Sequence, residues 1–461
     1  RYKTHQASLL SLKPFRVKYI VVYKYFIRLE MWKKCAEIRD PIHGYIFINE
    51  LEREIIDTAT FQRLRRIKQL GGAYLTYPGA EHTRFSHSIG TMHLAGALGE
   101  HLLRNGIIEE EDVQCLRLAA LLHDLGHGPF SHVYEDISIK YLNKNHEDIT
   151  TWLIKESEIG EILKKFGYKP EDIANLARGR RVKEKDFLDQ VISSPFDVDK
   201  MDFLVRDSHF TGVQYGLIDI FRLIYSMNVV DGNLAVEVPG ALYALEAFLI
   251  ARYEMFKAVY YHRTVRSANI MISKAMELAR EYLELTDFKT PEEYLKLDDA
   301  YVLVKIRELR NDKNKNLQMA CKLINMLEKR ELLKCAYEVT VHTRDKLMAS
   351  LLSKETVRRE IEREIAEKAG VNEESVLIDV PTLPSIPYSP RQIDPMEVFV
   401  FEEINGKRRI HRMSEISGIV NVLKGYFDVV RAYTFQEERE KVKKAAREVL
   451  GEGPISTKIS F

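Results

Sequence analysis

"LAALLHDLGHGPFSH", residues 118–132, opens as a buried helix and closes with three histidines and an aspartate within ten positions. The apolar run "LRLAALL" leaves little polar face, so this helix belongs inside a bundle. Polar chemistry begins where the core stops. His123 and Asp124 fall on adjoining faces of the last turns, with Gly126 placed to close the helix. An imidazole and a carboxylate beside a helix end are mixed ligands that suit Mn, Fe, Zn, Co or Ni more readily than Ca. An adjacent His-Asp pair alone equally describes a histidine hydrogen-bonded to an acid.

The chain has 461 residues, roughly two to three domains by length. Lys+Arg 69 against Asp+Glu 68 gives a net charge of +1, which argues against a global field for nucleic acid or an anionic membrane. Any anion site must be local. The four cysteines, Cys35, Cys115, Cys321 and Cys335, contain no C-x-x-C pair. They fit a reducing, cytoplasmic compartment and neither a disulfide framework nor a Cys-based zinc site. No uninterrupted apolar run reaches the roughly 18 residues of a membrane span. Residues 1–30 read as an N-terminal extension ahead of Met31, with an amphipathic membrane-surface segment as the alternative, because basic residues interleave with Val, Ile, Tyr and Phe.

From about 50 to 290, three- and four-residue apolar spacing predicts helix almost throughout. "EIRDPIHGYIFIN" and "DGNLAVEVPG" read as short hairpins, the second on an Asp-Gly turn. After residue 330 strands alternate with charged helices: "CAYEVTV", a helix over 344–369, "VLIDVP", "EVFVFEE", "INGKRRIHRM", a short helix near 414–424, "FDVVRAYTF" and a last helix at 436–450. The link "DVPTLPSIPYSPRQIDP" is too rich in proline to be helical. The expected fold is mainly α, with a large helical domain over 31–330 carrying short β-hairpins and a smaller α+β module over 331–461.

Eight of the fourteen histidines lie between His82 and His146. "HTRFSHSIG" sets His87 inside a helix with Arg84 three residues earlier on the same face. "SSPFDVDKMDFLVRD" supplies Asp199 at a helix start after a Ser/Pro break, followed at once by Lys200; Lys200, Phe203 and Asp207 then share one face.

At this point the chain resembles a known family, the HD-domain metal-dependent phosphohydrolases, and within it the deoxynucleoside triphosphate triphosphohydrolases. The matching stretches are "DPIHGYI", "IIDTATFQRLRRIKQLGGAYLTYPGAEHTRFSHSIG", "LLHDLGHGPFSH", "NHE" at 145–147, "FDVDKMDFLVRD" and "VYYHR" at 259–263; together they cover most of residues 37–275. The resemblance implies a divalent transition metal or magnesium held by His87, His123, Asp124 and Asp199. It implies a catalytic pocket lined by His127, His132 and His146, with Glu135 and Glu147 orienting the rings. Arg84, Lys200 and Arg263 become candidate phosphate clamps, and Gln69, Asp207 and Tyr260 candidate contacts to the sugar, where a tyrosine against the 2′-carbon favours deoxyribose. The implied reaction is hydrolysis of a dNTP at the α-phosphorus to deoxynucleoside and tripolyphosphate, with a histidine giving a proton to the leaving 5′-oxygen. A homo-oligomer, dimer or tetramer, is implied as well.

The sequence also departs from the family. Asp57, Gln62 and Arg66 match part of a guanine-nucleotide effector site between subunits, but that site's lysine and asparagine fall at Ala36 and Arg39, which puts activation in doubt. Asp57 and Gln62 equally serve to cap and decorate the helix "TATFQRLRRIKQL". A tyrosine of the family's active site is Phe203 here. Two rival readings remain at this point. HD domains host several chemistries, so another nucleotide or phosphoester is a second substrate class. A nucleotide-sensing or nucleic-acid-binding protein is the third reading, disfavoured because the positive charges are interleaved with glutamates and form no basic stripe.

Overall fold

The computed structural model describes residues 35–180, 187–343, 354–380, 382–384, 398–405, 407–422 and 426–451. The N-terminal extension at 1–30 and most of the proline-rich link lie outside the described residues. The chain is mainly α. Two strands, β1 (Ala36–Asp40) and β2 (Gly44–Ile48), form the first expected hairpin. Helices α1 (Arg84–Arg104) and α2 (Glu110–Leu122) then pack on each other. Helix α2 starts on a Glu109/Asp112 capping box, and its Leu116 and Leu118–Leu122 are buried. The apolar run is the centre of the main core, as its composition requires.

Around that core stand α3 (His132–Leu142), α4 (His146–Glu156) and α5 (Val198–Thr211). Asn145 and Asp148 form a capping box on α4, and the Asp197 carboxylate accepts from the Lys200 N–H at the start of α5. Helix α2 ends at Leu122, earlier than expected, and Gly126 does not close it with a left-handed turn. Gly126 is there for proximity: a Cβ would lie 2.1 Å from the His146 carbonyl oxygen and 2.3 Å from the Thr150 nitrogen. The exposed carbonyls of the helix end find side chains instead, His123 Nδ1 donating to Ala120 at 2.7 Å and the Thr150 hydroxyl to His123 at 3.1 Å.

The second hairpin, β3 (Met227–Val230) and β4 (Asn233–Glu237), turns on Asp231 and Gly232, both at positive φ. Helix α6 (Val238–Met255) follows and runs into a π turn over Phe256–Tyr260; α7 (Arg263–Leu278) packs against α8 (Lys315–Glu328). Beyond residue 330 the α+β module contains β5 (Lys334–Thr343), α9 (Glu355–Ala369), β6 (Leu377–Asp379), β7 (Thr382–Pro384), β8 (Phe399–Ile404), β9 (Lys407–Arg412), β10 (Tyr426–Thr434) and α10 (Arg439–Leu450). Strand β10 is central, antiparallel to β5, β6 and β7, with Val430 opposite Val339 and Ala432 opposite Ile378. Part of the proline-rich link is thus an edge strand, where proline is tolerated. The second hairpin is more than a small cap: β8 pairs parallel to β4, Val236 opposite Val400, so strands late in the chain complete a sheet begun in the helical body. Among the described residues no helix is long and apolar enough to cross a membrane.

Candidate metal centre and phosphohydrolase site

Three helix ends meet at one point. The start of α1 brings His87, the turn after α2 brings His123 and Asp124, and the first turn of α5 brings Asp199. His87 Nε2 lies 3.0 Å from Asp199 Oδ1 and 3.5 Å from Asp124 Oδ2. His123 Nε2 lies 3.3 Å from Asp124 Oδ1 and 3.6 Å from Asp199 Oδ1. Hydrogen bonds on the far side set both tautomers. His87 Nδ1–H donates to Asp202 at 2.8 Å, and His123 Nδ1–H donates to the Ala120 carbonyl, so each Nε2 faces the aspartates, where it holds a proton or presents a lone pair to a cation. His123 Nε2 is buried and has no hydrogen-bond partner. Two imidazole lone pairs facing two carboxylates need a positive charge among them, and this donor set fits a divalent cation.

Electrostatics report the same demand. Burial opposes a charged His87, yet the hydrogen bonds to Asp199 and Asp202 and the charge of Asp124 raise its pKa to about 10. Burial likewise opposes ionisation of Asp124, but the Arg84 guanidinium and the flanking His123 and His127 hold it well below the usual carboxylate range. Arg84 Nη1 donates to Asp124 at 2.6 Å and its Nε to the Ser131 hydroxyl at 2.9 Å.

Beside this group lie the other three histidines. His127, His132 and His146 bring one ring nitrogen each within 4.8 Å of one another. His132 is at the start of α3 rather than in the loop, and its side chain is exposed. Glu135 accepts from His146 Nδ1 at 2.5 Å and from His132 Nδ1 at 2.9 Å, as expected of an orienting acid. Glu147 lies 3.8 Å from Arg178, and its charge adds to that of Glu135 at His146.

The remaining expected residues separate. Asp207 is buried between His82 Nε2 at 2.7 Å and the Tyr260 hydroxyl at 2.7 Å, and Phe203 meets the Tyr260 ring edge-on. Gln69 joins this wall through its N–H to the His82 carbonyl, with a buried Oε1 that has no partner. Lys200 is buried and donates to Asp197 Oδ2 at 2.5 Å. Arg263 is exposed and faces His262 and Cys335 beside the C-terminal sheet. Of the residues matching an effector site, Asp57 is exposed and ends one short helix while Thr58, not Asp57, caps the next. Gln62 donates to the Ile56 carbonyl and accepts from Arg65, Arg66 pairs with Asp298, and Arg39 lies over the Tyr45 ring.

Several residues at the site were not singled out from the sequence. Arg252 is 4% exposed, its Nη1 donates to the Pro195 carbonyl at 3.3 Å while its Nε is buried without a partner, and burial lowers its pKa to about 10 against the opposing charges of Asp197 and Asp199. Its signal was a lone cation inside the apolar stripe "ALEAFLIARYEMF", eight residues before Tyr260. Arg63 is fully buried, donates to the carbonyls of His127 and Leu297, and stacks on Tyr294. Asp299 accepts from the Phe130 and Lys68 N–H groups and so secures Phe130 and Ser131, both at positive φ.

Comparison with known proteins places this arrangement. A family profile described as HD domain matches residues 84–197, and one described as HD associated region matches residues 218–458. The uncharacterized protein YwfO of Bacillus subtilis is 35% identical over 306 residues, 62% of this chain and 68% of that one. Deoxynucleoside triphosphate triphosphohydrolase SAMHD1 of Homo sapiens is 33% identical over 347 residues, 64% of this chain and 54% of that protein, and its Dictyostelium discoideum homolog is 33% identical over 337 residues, covering 68% and 62%. The chain thus spans little more than half to two thirds of the length of these relatives. A crystal structure of a hypothetical protein from Aquifex aeolicus superposes with a TM-score of 0.70 at 31% identity, covering 89% of this chain and 99% of that one. With its profile matches running from Arg84 nearly to the C-terminus and its histidines and aspartates gathered at three helix ends, the chain belongs to the HD-domain metal-dependent phosphohydrolases.

Proposed function

We propose that the chain hydrolyses deoxynucleoside triphosphates to deoxynucleoside and tripolyphosphate, using a divalent cation held by His87, His123, Asp124 and Asp199. The observation that carries the metal reading is His123 Nε2, a buried, partnerless nitrogen whose tautomer is fixed by the Ala120 carbonyl. When bound, a cation such as Mn, Fe, Co, Ni, Zn or Mg supplies Lewis acidity toward a phosphoryl oxygen and lowers the pKa of water. The two imidazoles make a transition metal the better occupant.

The protein's own groups do the rest. Arg252, with Nη1 on the Pro195 carbonyl, offers its unpartnered Nε to the triphosphate, and Lys200 exchanges Asp197 for a phosphate oxygen. Arg84 is held by Asp124 and Ser131, so its first role is to keep Asp124 ionised and in place. His146, with Nδ1–H fixed on Glu135, presents Nε2 as the proton donor to the leaving 5′-oxygen. Tyr260, braced by Asp207, closes the sugar edge against a 2′-hydroxyl. The relatives named as deoxynucleoside triphosphate triphosphohydrolases support the substrate class.

The test is incubation of metal-replete protein with each of the four dNTPs, with products separated by anion exchange beside an Asp124→Ala control. Tripolyphosphate that depends on Asp124 is expected. Release of phosphate or pyrophosphate, or turnover only of monophosphates or oligonucleotides, overturns the assignment.

A further inference from the structure

The turn of the first hairpin carries a histidine that reaches into the wall of the metal centre. His43 Nε2–H donates to Asp202 Oδ1 at 2.6 Å, and His87 Nδ1–H donates to Asp202 Oδ2 at 2.8 Å. Arg206 donates to both oxygens of Asp202, at 2.8 and 2.9 Å, and on to Asp40 Oδ2 at 2.9 Å. Asp40 Oδ1 in turn accepts the N–H groups of Ile42 and His43, 2.9 Å each. The bonds form a closed ring, Asp40 to Arg206 to Asp202 to His43 and back through the turn. All four side chains are 5% exposed or less.

This ring is expensive to build. Burying two carboxylates and a guanidinium costs desolvation, and apolar side chains of equal volume hold a bundle together as well or better. Helix α1 also gives up a side chain for it, since a Cβ on Gly90 would lie 2.0 Å from Asp202 Oδ1 and 2.3 Å from Arg206 Nη2. What the ring provides is direction. With every lone pair of Asp202 engaged, the carboxylate cannot rotate, and the His87 ring bonded to it is held with Nε2 inward.

We propose that His43 is a positioning residue of the metal centre, acting through Asp202 on the orientation of His87, so that the N-terminal hairpin is part of the metal site. The proposal rests on the metal reading above. It is tested by titrating metal-free protein with Co(II), following ligand-field absorption and equilibrium dialysis, in wild type, His43→Gln and His43→Leu, with Asp199→Ala as the blank. His43→Leu fills the space and cannot donate to Asp202; its affinity is expected to fall about 10–100-fold with an altered band shape. His43→Gln retains an amide donor and is expected to keep most of the affinity. A folded His43→Leu protein with wild-type affinity and spectrum overturns the proposal. Should that variant fail to fold, Asp202→Asn carries the test, with the same weakening expected and wild-type binding overturning it. If wild type shows no Co(II) binding beyond the blank, the metal centre itself is refuted and the relay with it; binding in all variants alike refutes the relay alone.

Discussion

The rings of His127 and His146 stack 4.1 Å apart with 12° between their planes, yet their surroundings push their pKa values in opposite directions. Burial disfavours charge on both. The charge and hydrogen bond of Glu135 overcome it at His146 and raise that pKa, whereas Arg84 and His146 add to burial and push His127 well below the ordinary value. One ring is built to hold a proton and its neighbour to stay neutral, a division suited to an acid beside an uncharged partner. In Glu135→Gln the His146 pKa falls, so the protonated acid is lost at lower pH. The alkaline limb of the kcat profile is expected to move to lower pH, with roughly tenfold loss per pH unit above it. An unmoved limb in that variant sinks the assignment of His146 as the acid.

Removal of metal has a thermodynamic signature as well as a catalytic one. A cation that binds only the folded chain adds about 2.7 kcal/mol at a hundredfold excess over its Kd. Chelation is expected to lower Tm and abolish turnover, both restored by Mn. His123→Ala should lose the metal-dependent part of Tm while keeping the melting point of metal-free wild type, as calorimetry with and without Mn will show.

Tyr260 separates two roles of one side chain. Tyr260→Phe keeps the ring and loses only the hydrogen bond to Asp207, so deoxyribose preference is expected to persist with a higher KM. Tyr260→Leu opens the sugar edge, and the kcat/KM ratio of dATP to ATP is expected to fall about 10–100-fold. Equal ratios in all three proteins would show that the tyrosine does not read the sugar.

Arg63 tests how the catalytic loop is held. Its fork bonds the carbonyls of His127 and Leu297, a geometry that lysine cannot reproduce. Arg63→Lys is expected to cost about 2–4 kcal/mol in urea unfolding at fixed metal, since buried carbonyls lose their donors. A change under 0.5 kcal/mol, within the ordinary range of surface substitutions, contradicts this role.

Much of this could be read from the amino acids because the signals were local. The run "LRLAALL" has one physical destination, and the four candidate metal ligands, each within a turn of a helix end, are named by the resemblance to the HD family, since a His-Asp pair by its spacing alone equally describes a hydrogen-bonded histidine. What escaped reading depends on distant partners. Nothing near Val236 foretells that Val400 will pair beside it. Asp57 and Thr58 are both good caps, and only the backbone path decides between them. Arg263 is the arginine the resemblance points to and Arg252 is passed over, and only packing sends the first to the surface and buries the second. His43 reads as a turn residue because its partner Asp202 is folded against it by elements far along the chain.

Gly126 leaves no methyl's width between the turn that carries Asp124 and the first turn of the helix that carries His146. The Asp124 turn and the His146 helix are therefore a single casting rather than two jaws. Side chains cannot be threaded between these two walls, and neither can move toward the other without a backbone clash.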